Sequence, residues 1–457
     1  PSGLPQAVSA LLPEPLHVLA MHDIGEDLGK AKAGTTIKGL LDEIMKPLLA
    51  SHRELTTALD TIRGVLTKDG GERSEHLQQF DASATDALSN FFPGLALDLD
   101  LQVVDIKEFF KAGDLHVTDT ISGDRRRFDQ MGTGAQRAIQ MALIRYLADV
   151  RRADDDQLSR RMLLIDEPEL YLHPQGVRRL REALKVLANS GFQIVFSTHS
   201  PLMLSRDNAS DTVIVNNTAE EGVSARKPLR QAVLDAIEDG ESQSQTLFDL
   251  GNLVDIYFAD RVILCEGKTD RRLLPLAYEQ LYQRSPDLDH IAFVSVGGCN
   301  NFAKALAVLS AMDIRACAIA DLDFAFTGAR KSGLLERDGA EIEAVKASLS
   351  RLQPTYGFTL GGNGLPQKCS QWSAADIWAC FAADSDGQVI AQSSHEALQA
   401  SLVWVWPQGC IEQVTATTEK GEEAIIEQEQ RLRAMSANDI EQQMPAFKAC
   451  FDWIRSL

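Results

Sequence analysis

The chain moves between two hydrophobic rhythms. Short apolar runs that stop at a polar or acidic turn predict buried strands, and apolar residues three and four apart predict helices. Leu16-His17-Val18-Leu19-Ala20 is a short strand pattern. From 35 to 66 the spacing of Ile37, Leu40, Leu41, Ile44, Met45, Leu48 and Leu49 is helical, with a kink or break expected at Pro47. Lys68-Asp69-Gly70-Gly71 breaks the pattern, and a second helix is predicted over 72–91. Paired helices of this kind suit an insertion that packs on a neighbour or a twin subunit. Strict alternation of Leu95, Leu97, Leu99, Leu101 and Val103 predicts a strand over 95–106, which a second strand over 115–121 would pair as a hairpin. A strong helix over 138–150 and strands ending at Ile165 and Phe196 complete this half.

Residues 216–244 are polar and charged and read as a linker. After a helix over 245–258, strands at 262–265, 290–296 and 315–320 alternate with helices at 269–283 and 302–312. Alternation of this kind predicts a parallel α/β sheet. Beyond Thr327 the signal weakens to a helix over 341–350, core tryptophans 372 and 378, a strand from Leu402, and amphipathic helices over 423–435 and 438–454.

Chemistry sits where the strand patterns stop. Val262-Ile263-Leu264-Cys265 ends in Glu266-Gly267, with Asp270 one helical turn on; Ala316 to Ala320 ends in Asp321-Leu322-Asp323. In a parallel sheet both acidic pairs project from the carboxyl edge, where such folds place their sites. Carboxylates gathered there repel one another unless a hard cation such as Mg²⁺ or Mn²⁺ neutralises them. Turn and N-cap acids are the plainer alternative for each pair taken alone. Gly297-Gly298-Cys299-Asn300-Asn301 suits either close phosphate approach or a helix N-cap.

The first half carries a different set. Met131-Gly132-Thr133-Gly134-Ala135-Gln136 precedes a helix and presents backbone N–H groups suited to an anion. Met162 to Ile165 followed by Asp166-Glu167 is a Walker B pattern, in which Asp166 would hold Mg²⁺ and Glu167 polarise water. His199, in the STHSP turn after the next strand, is placed to contact a γ-phosphate.

Composition trims the options. A chain of 457 residues with 44% hydrophobic content builds several cores, so two to four domains are expected. Seven cysteines without a CxxC argue for reduced thiols in a cytoplasmic protein. No apolar run is long enough for a membrane span. A net charge of −20 argues against general nucleic-acid affinity but not against local basic patches. Arg271-Arg272 and Arg330-Lys331 lie closest in sequence to the acidic pairs.

DEPELYLHP and STHSP, in order after the small-residue loop, resemble the ABC-type ATPase heads of DNA-repair and recombination proteins. The resemblance makes Gly132, Thr133, Gly134, Ala135 and Gln136 a signature loop that completes a partner's nucleotide site, and so implies a homodimer. One departure is clear: no G-x-x-x-x-G-K-[ST] phosphate loop is present, the nearest string being Gly25 to Ala31. With no initial Met, a C-terminal portion of a longer protein is expected, one that does not hydrolyse ATP by itself.

EGKTD followed by DLD looks like a Toprim domain, and an ATPase head followed by Toprim resembles the OLD (overcoming lysogenization defect) family of ATP-dependent endonucleases. The expected architecture is therefore α/β: a partial ATPase head over 1–215 with a dimerising helical insertion at about 35–92, then a Toprim domain with a helical extension over 245–457. The family implies two-metal DNA cleavage with Mg²⁺ or Mn²⁺, with ATP and Mg²⁺ used only by the intact head. By position, Glu266, Asp270, Asp321 and Asp323 match the metal-binding acids, Glu412 the later acid, and Lys420, or second Lys448, the basic residue. Lys268 and Arg271 would meet DNA phosphate. A nucleotide-gated DNA-binding scaffold with a non-cleaving Toprim domain is the alternative. Topoisomerase-like strand passage lacks an obvious nucleophilic tyrosine.

Overall fold

The computed structural model describes residues 14–18, 53–89, 94–101, 115–152, 161–189, 191–219, 222–237, 250–417 and 421–457. The chain divides into two compact units, residues 1–203 and 204–457.

In the first unit β1 (Glu14–Val18), β4 (Arg161–Ile165) and β5 (Phe192–Phe196) form a parallel sheet in the order β1-β4-β5. β4 is the central strand, and its Leu163 and Ile165 are buried under Met141 and Ile144 of α3 (Thr133–Arg152) and Val177, Leu180, Leu184 and Leu187 of α4 (Pro174–Asn189). The sequence reading assigned no element to α4. Two further helices, α1 (Arg53–Leu66) and α2 (Glu75–Ser89), are the described part of the expected insertion.

The expected leucine strand at 95–106 takes a different form over its described residues. Residues 95–101 are extended but join no sheet. Leu97 N–H donates to Thr85 Oγ1 at 3.1 Å and Leu99 N–H to Asp81 Oδ1 at 2.9 Å, so side chains of α2 serve as the missing partner strand. The strand β2 (His116–Thr118) pairs instead with β3 (Arg125–Arg127) in an antiparallel hairpin.

The stretch read as a linker also carries structure. An antiparallel hairpin, β6 (Val215–Thr218) with β7 (Gly222–Ala225), leads to α5 (Leu229–Ala236). Leu229, Ala232 and Val233 of α5 are buried in the core of the second unit, along with Ile256 of α6 (Leu250–Tyr257).

That second unit is built on four parallel strands in the order β13-β10-β8-β9: Val403–Val405, Arg315–Ala320, Arg261–Cys265 and Ile291–Ser295. Alternate side chains serve two cores, as the period of two demands. Val262 and Leu264 face α6, α8 (Phe302–Ala311) and α11 (Ala340–Tyr356). Ile263 and Cys265 face α7 (Lys268–Tyr282) and the last helices. Those last helices are three rather than two: α15 (Glu422–Ala434), α16 (Ala437–Gln443) and α17 (Pro445–Ser456). Pro445, which supplies no backbone donor, ends the expected long helix by starting a new one. Trp378 is 3% exposed in α12 (Ala374–Ala383), as a core residue should be, and Trp372 packs at the edge of the same core.

Candidate active site

Parallel pairing puts every strand's carboxyl end on one edge of the second sheet. Cys265 lies opposite Ile319 and Ser295, and Ala320 opposite Val405. Glu266 therefore leaves β8 level with the last residue of β10, and Asp321 follows one step later. Glu266 accepts from the Asp321 backbone N–H and from the Cys299 thiol in the Gly-Gly-Cys turn after β9. Asp270 lies in the first turn of α7, 7% exposed, and its Oδ2 accepts the Gly267 N–H at 3.2 Å. Asp323 opens the short helix α9 (Asp323–Phe326). The fifth acid arrives from far along the chain: Leu322 N–H donates to Gly409 O at 2.7 Å, tying the Asp321 turn to the loop that leads into α14 (Ile411–Val414) and Glu412.

These acids burden one another. Burial, then the charges of Glu266 and Glu412, push the Asp270 carboxyl up to about 7 despite the Gly267 bond. Asp321 lies well above its ordinary value, first through burial and then through Asp270, Glu266, Asp323 and Glu412. Glu266 is raised by burial and by Asp323. The Cys299 thiol is pushed up to about 12 by burial and by Glu266 and Asp323. Glu266 Oε2 is buried with no hydrogen-bond partner among the described residues. An oxygen-only set with an orphaned buried carboxylate oxygen fits a hard divalent cation. Among the described residues no three His, Cys, Asp or Glu side chains yet converge as ligands of one ion.

A brace holds the outer two acids. Arg272 of α7 grips Glu429 of α15 through Nε at 2.6 Å and Nη2 at 2.8 Å, and also reaches Glu422. From the same α15, Arg431 Nη1 donates to Thr415 O at 2.7 Å, just past the helix carrying Glu412. Of the basic residues expected near DNA, Lys268 is exposed at the start of α7, Arg271 pairs with Asp255 at 3.1 Å, and Lys448 pairs with Asp452. Lys420 lies outside the described residues.

In the first unit, Asp166 and Glu167 follow β4. Ser197 Oγ donates to Asp166 Oδ1 and accepts the Glu167 N–H at 3.1 Å. His199 Nε2 stands 3.5 Å from Glu167 Oε1, and its imidazole is 89% exposed. Glu167 has φ +40°, a strained position for a non-glycine residue. It is held there by Arg137, fully buried, whose guanidinium donates to the carbonyls of Asp166 at 2.9 Å, Glu167 at 3.0 Å and Pro168 at 3.2 Å.

The small-residue loop differs from its expected form: the helix begins at Thr133, so Gly134, Ala135 and Gln136 lie in its first turn. Gly132 O accepts the first helical bonds. A Cβ on Gly134 would stand 2.9 Å from the Tyr171 carbonyl, so glycine is required by close packing. Gln136 is buried and donates to the Phe128 and Met131 carbonyls. Sequence reasoning gave Arg137 no role and read Cys299 only as part of the Gly-Gly-Cys-Asn-Asn turn; only the position of each beside a motif could have drawn attention to its side chain.

Residues 257–323 match the sequence model for the TOPRIM domain of overcoming lysogenization defect protein-like proteins, and residues 32–204 that for an AAA ATPase domain. The chain belongs to the OLD family. It is 33% identical over 328 residues to the Old nuclease of Escherichia phage P2, covering 71% of this chain and 56% of that one. To the OLD nuclease of Thermus scotoductus it is 30% identical over 213 residues, covering 43% of this chain and 36% of that one. The chain thus spans about half or less of the length of these OLD relatives. The solved C-terminal region of the Xanthomonas campestris pv. campestris OLD protein shares 17% identity over 43% of this chain and 98% of that chain, at a TM-score of 0.18, too low to add to the argument. The α/β plan expected for the family, an ATPase domain followed by a Toprim parallel sheet, is the one observed. Among the described residues no helix is long and apolar enough to cross a membrane.

Proposed function

We propose that this OLD-family chain is a divalent-metal-dependent endodeoxyribonuclease that nicks or cuts duplex DNA at the carboxyl edge of its second sheet, under control of the ATPase unit. The observation that carries the reading is the gathering of Glu266, Asp270, Asp321, Asp323 and Glu412 at one edge, where burial and neighbouring charge raise Glu266, Asp270 and Asp321. Glu266, Asp270, Asp321, Asp323 and Glu412 would hold Mg²⁺ or Mn²⁺. When bound, a metal pair stabilises the attacking and leaving oxygens of an in-line displacement at phosphorus. Glu266, with its orphaned Oε2, is the first ligand in this scheme. Asp270 is aimed by the Gly267 N–H, and Lys268, exposed beside it, meets the DNA backbone. Arg271 would have to leave Asp255 to do the same. Lys420 is the preferred basic residue near the scissile phosphate, because Lys448 is already paired with Asp452.

In the ATPase unit, Asp166, Glu167 and His199 would serve ATP with Mg²⁺, and Gly132, Gly134 and Gln136 would complete a partner's site in a homodimer. The chain by itself is not expected to hydrolyse ATP. Seven free thiols suit work on DNA in the cytoplasm.

The test is plasmid nicking with Mg²⁺, Mn²⁺ or EDTA, comparing the unmodified chain with Glu266→Ala. Metal-dependent nicking lost in the variant is expected; nicking that survives it defeats the reading. The second reading, a nucleotide-gated DNA-binding scaffold, is favoured by the absence of three converging ligands among the described residues. Salt-sensitive DNA binding without scission would support it.

A further inference from the structure

The opposite edge of the same sheet holds a second polar site. A cavity of about 210 Å³ opens where the strands begin, lined by Asp260, Arg261, Tyr278, Asp289, Arg315 and Arg455, with Ile291 at its floor. Arg261, Ile291 and Arg315 are the first residues of β8, β9 and β10. β8 is five residues long, so the cavity lies about 13 Å or more from the acids along the strand.

Its charges are unevenly spent. Asp289 is already occupied, accepting the Tyr278 hydroxyl at 2.6 Å on one oxygen and Arg284 on the other. Arg261 is fixed by Nη1 donating to Ile454 O, which leaves the rest of its fork available. Arg455 stands over the Tyr282 ring, its guanidinium carbon 4.5 Å from the centroid, a contact that restrains the side chain. Among the described residues neither Arg315 nor Arg455 pairs with a carboxylate at ion-pair distance. Two carboxylates line the cavity with them, Asp260 and Asp289, and the charge of Arg455 acts on Asp289 and on nearby Asp452. In a chain of net charge −20, three guanidinium groups set against the two carboxylates of Asp260 and Asp289 around one cavity are a specific arrangement.

We propose that this cavity binds a phosphate monoester, with Arg315 and Arg455 as its principal donors and Arg261 as the third. Two guanidinium forks match the dianionic charge and the three terminal oxygens of such a group, which a monoanionic carboxylate does not. The volume admits the phosphate and the first atoms of its ester. The ligand comes either as free phosphate or as the terminal phosphate of a nucleic acid.

Calorimetric titration of the full chain, in EDTA so that the acidic edge takes no part, tests this. The probes are inorganic phosphate, a short 5′-phosphorylated oligonucleotide, and the same oligonucleotide without its phosphate. Saturable 1:1 binding is expected. Arg315→Gln and Arg455→Gln should each weaken it about tenfold, while Arg337→Gln, an exposed charge outside the cavity, leaves it unchanged. Tighter binding of the phosphorylated oligonucleotide than of inorganic phosphate assigns the site to a nucleic-acid end, and the reverse order assigns it to free phosphate. No saturable binding to the unmodified chain, unchanged affinity in both arginine variants, or equal binding of the unphosphorylated oligonucleotide overturns the proposal. Both glutamine variants alter exposed side chains, and their melting curves should match that of the parent.

Discussion

Asp166 and Glu167, at the end of β4, stand among hydroxyl groups and in contact with solvent. Glu266 and Asp321, at the ends of β8 and β10, stand among other acids and largely away from solvent. Both pairs leave parallel strands at the carboxyl edge, so the backbone plan is shared. The surroundings make the difference. Ser197 donates to Asp166 and Thr198 to the neighbouring Glu169, while Arg137 ties down the carbonyls behind them. At the second edge the neighbours of each carboxylate are mostly further carboxylates. An edge of the first kind has hydroxyl donors beside its acids. One of the second kind holds mutual repulsion among its carboxyl groups.

The largest effect expected from this contrast is at Asp321. Asp321→Ala should reduce metal-dependent nicking by about 10³-fold or more, roughly 4 kcal/mol, while the metal-free protein melts no lower than the parent because a repelling charge has gone. A lower melting temperature in EDTA would mean that the acid is structural. At the first edge the direction reverses. Arg137→Ala leaves three carbonyls without their donor and a hole behind Glu167, and should cost about 3–5 kcal/mol of stability in that unit. Mn²⁺ binding to the second unit, followed by calorimetry, should persist; its loss would show that the two edges are not independent.

A smaller effect separates the edges by pH. The folded chain holds the Asp270 proton up to about 7, where an unfolded chain has long released it. Asp321 and Glu266 are raised in the same sense. Stability in EDTA is therefore greatest near the ordinary carboxylate value and falls as pH rises from about 4 to about 7. Asp289, Asp384 and Asp452, which are lowered by their partners, lose their contribution only below that window. Melting temperature between pH 5 and pH 8 should drop by about a few degrees, and Asp270→Asn should flatten the slope. The mildest test concerns the brace: Arg272→Ala should weaken Mn²⁺ binding about tenfold, with Glu429→Ala matching it and the double variant no worse than either.

Much of the second unit could be read from its strands, because runs such as Val262 to Cys265 and Ala316 to Ala320 are buried on both faces and hence apolar throughout. The acids after them were legible for the same reason: a charge directly after such a run has little to do inside a core. Three features were hidden. Leu95, Leu97, Leu99 and Leu101 have the strand period, yet their backbone is bonded by Thr85 and Asp81, which no periodicity records. The stretch around 229–236 looked polar because its apolar residues, Leu229, Ala232 and Val233, occupy a single narrow face. The cavity formed by Arg261, Arg315 and Arg455 unites residues far apart in sequence through strand register alone.

The short strand β13 has a consequence for the order of assembly. It pairs with β10, but all of residues 324–402 intervene, so closing that contact carries a large loop entropy. On the ribosome β8, β9 and β10, with Glu266, Asp270, Asp321 and Asp323, are made before β13 and Glu412. A growing chain therefore passes through a stage with four of its five acids synthesised and the last one missing. On the proposed reading, if all five acids are needed, the site is completed only when β13 has docked.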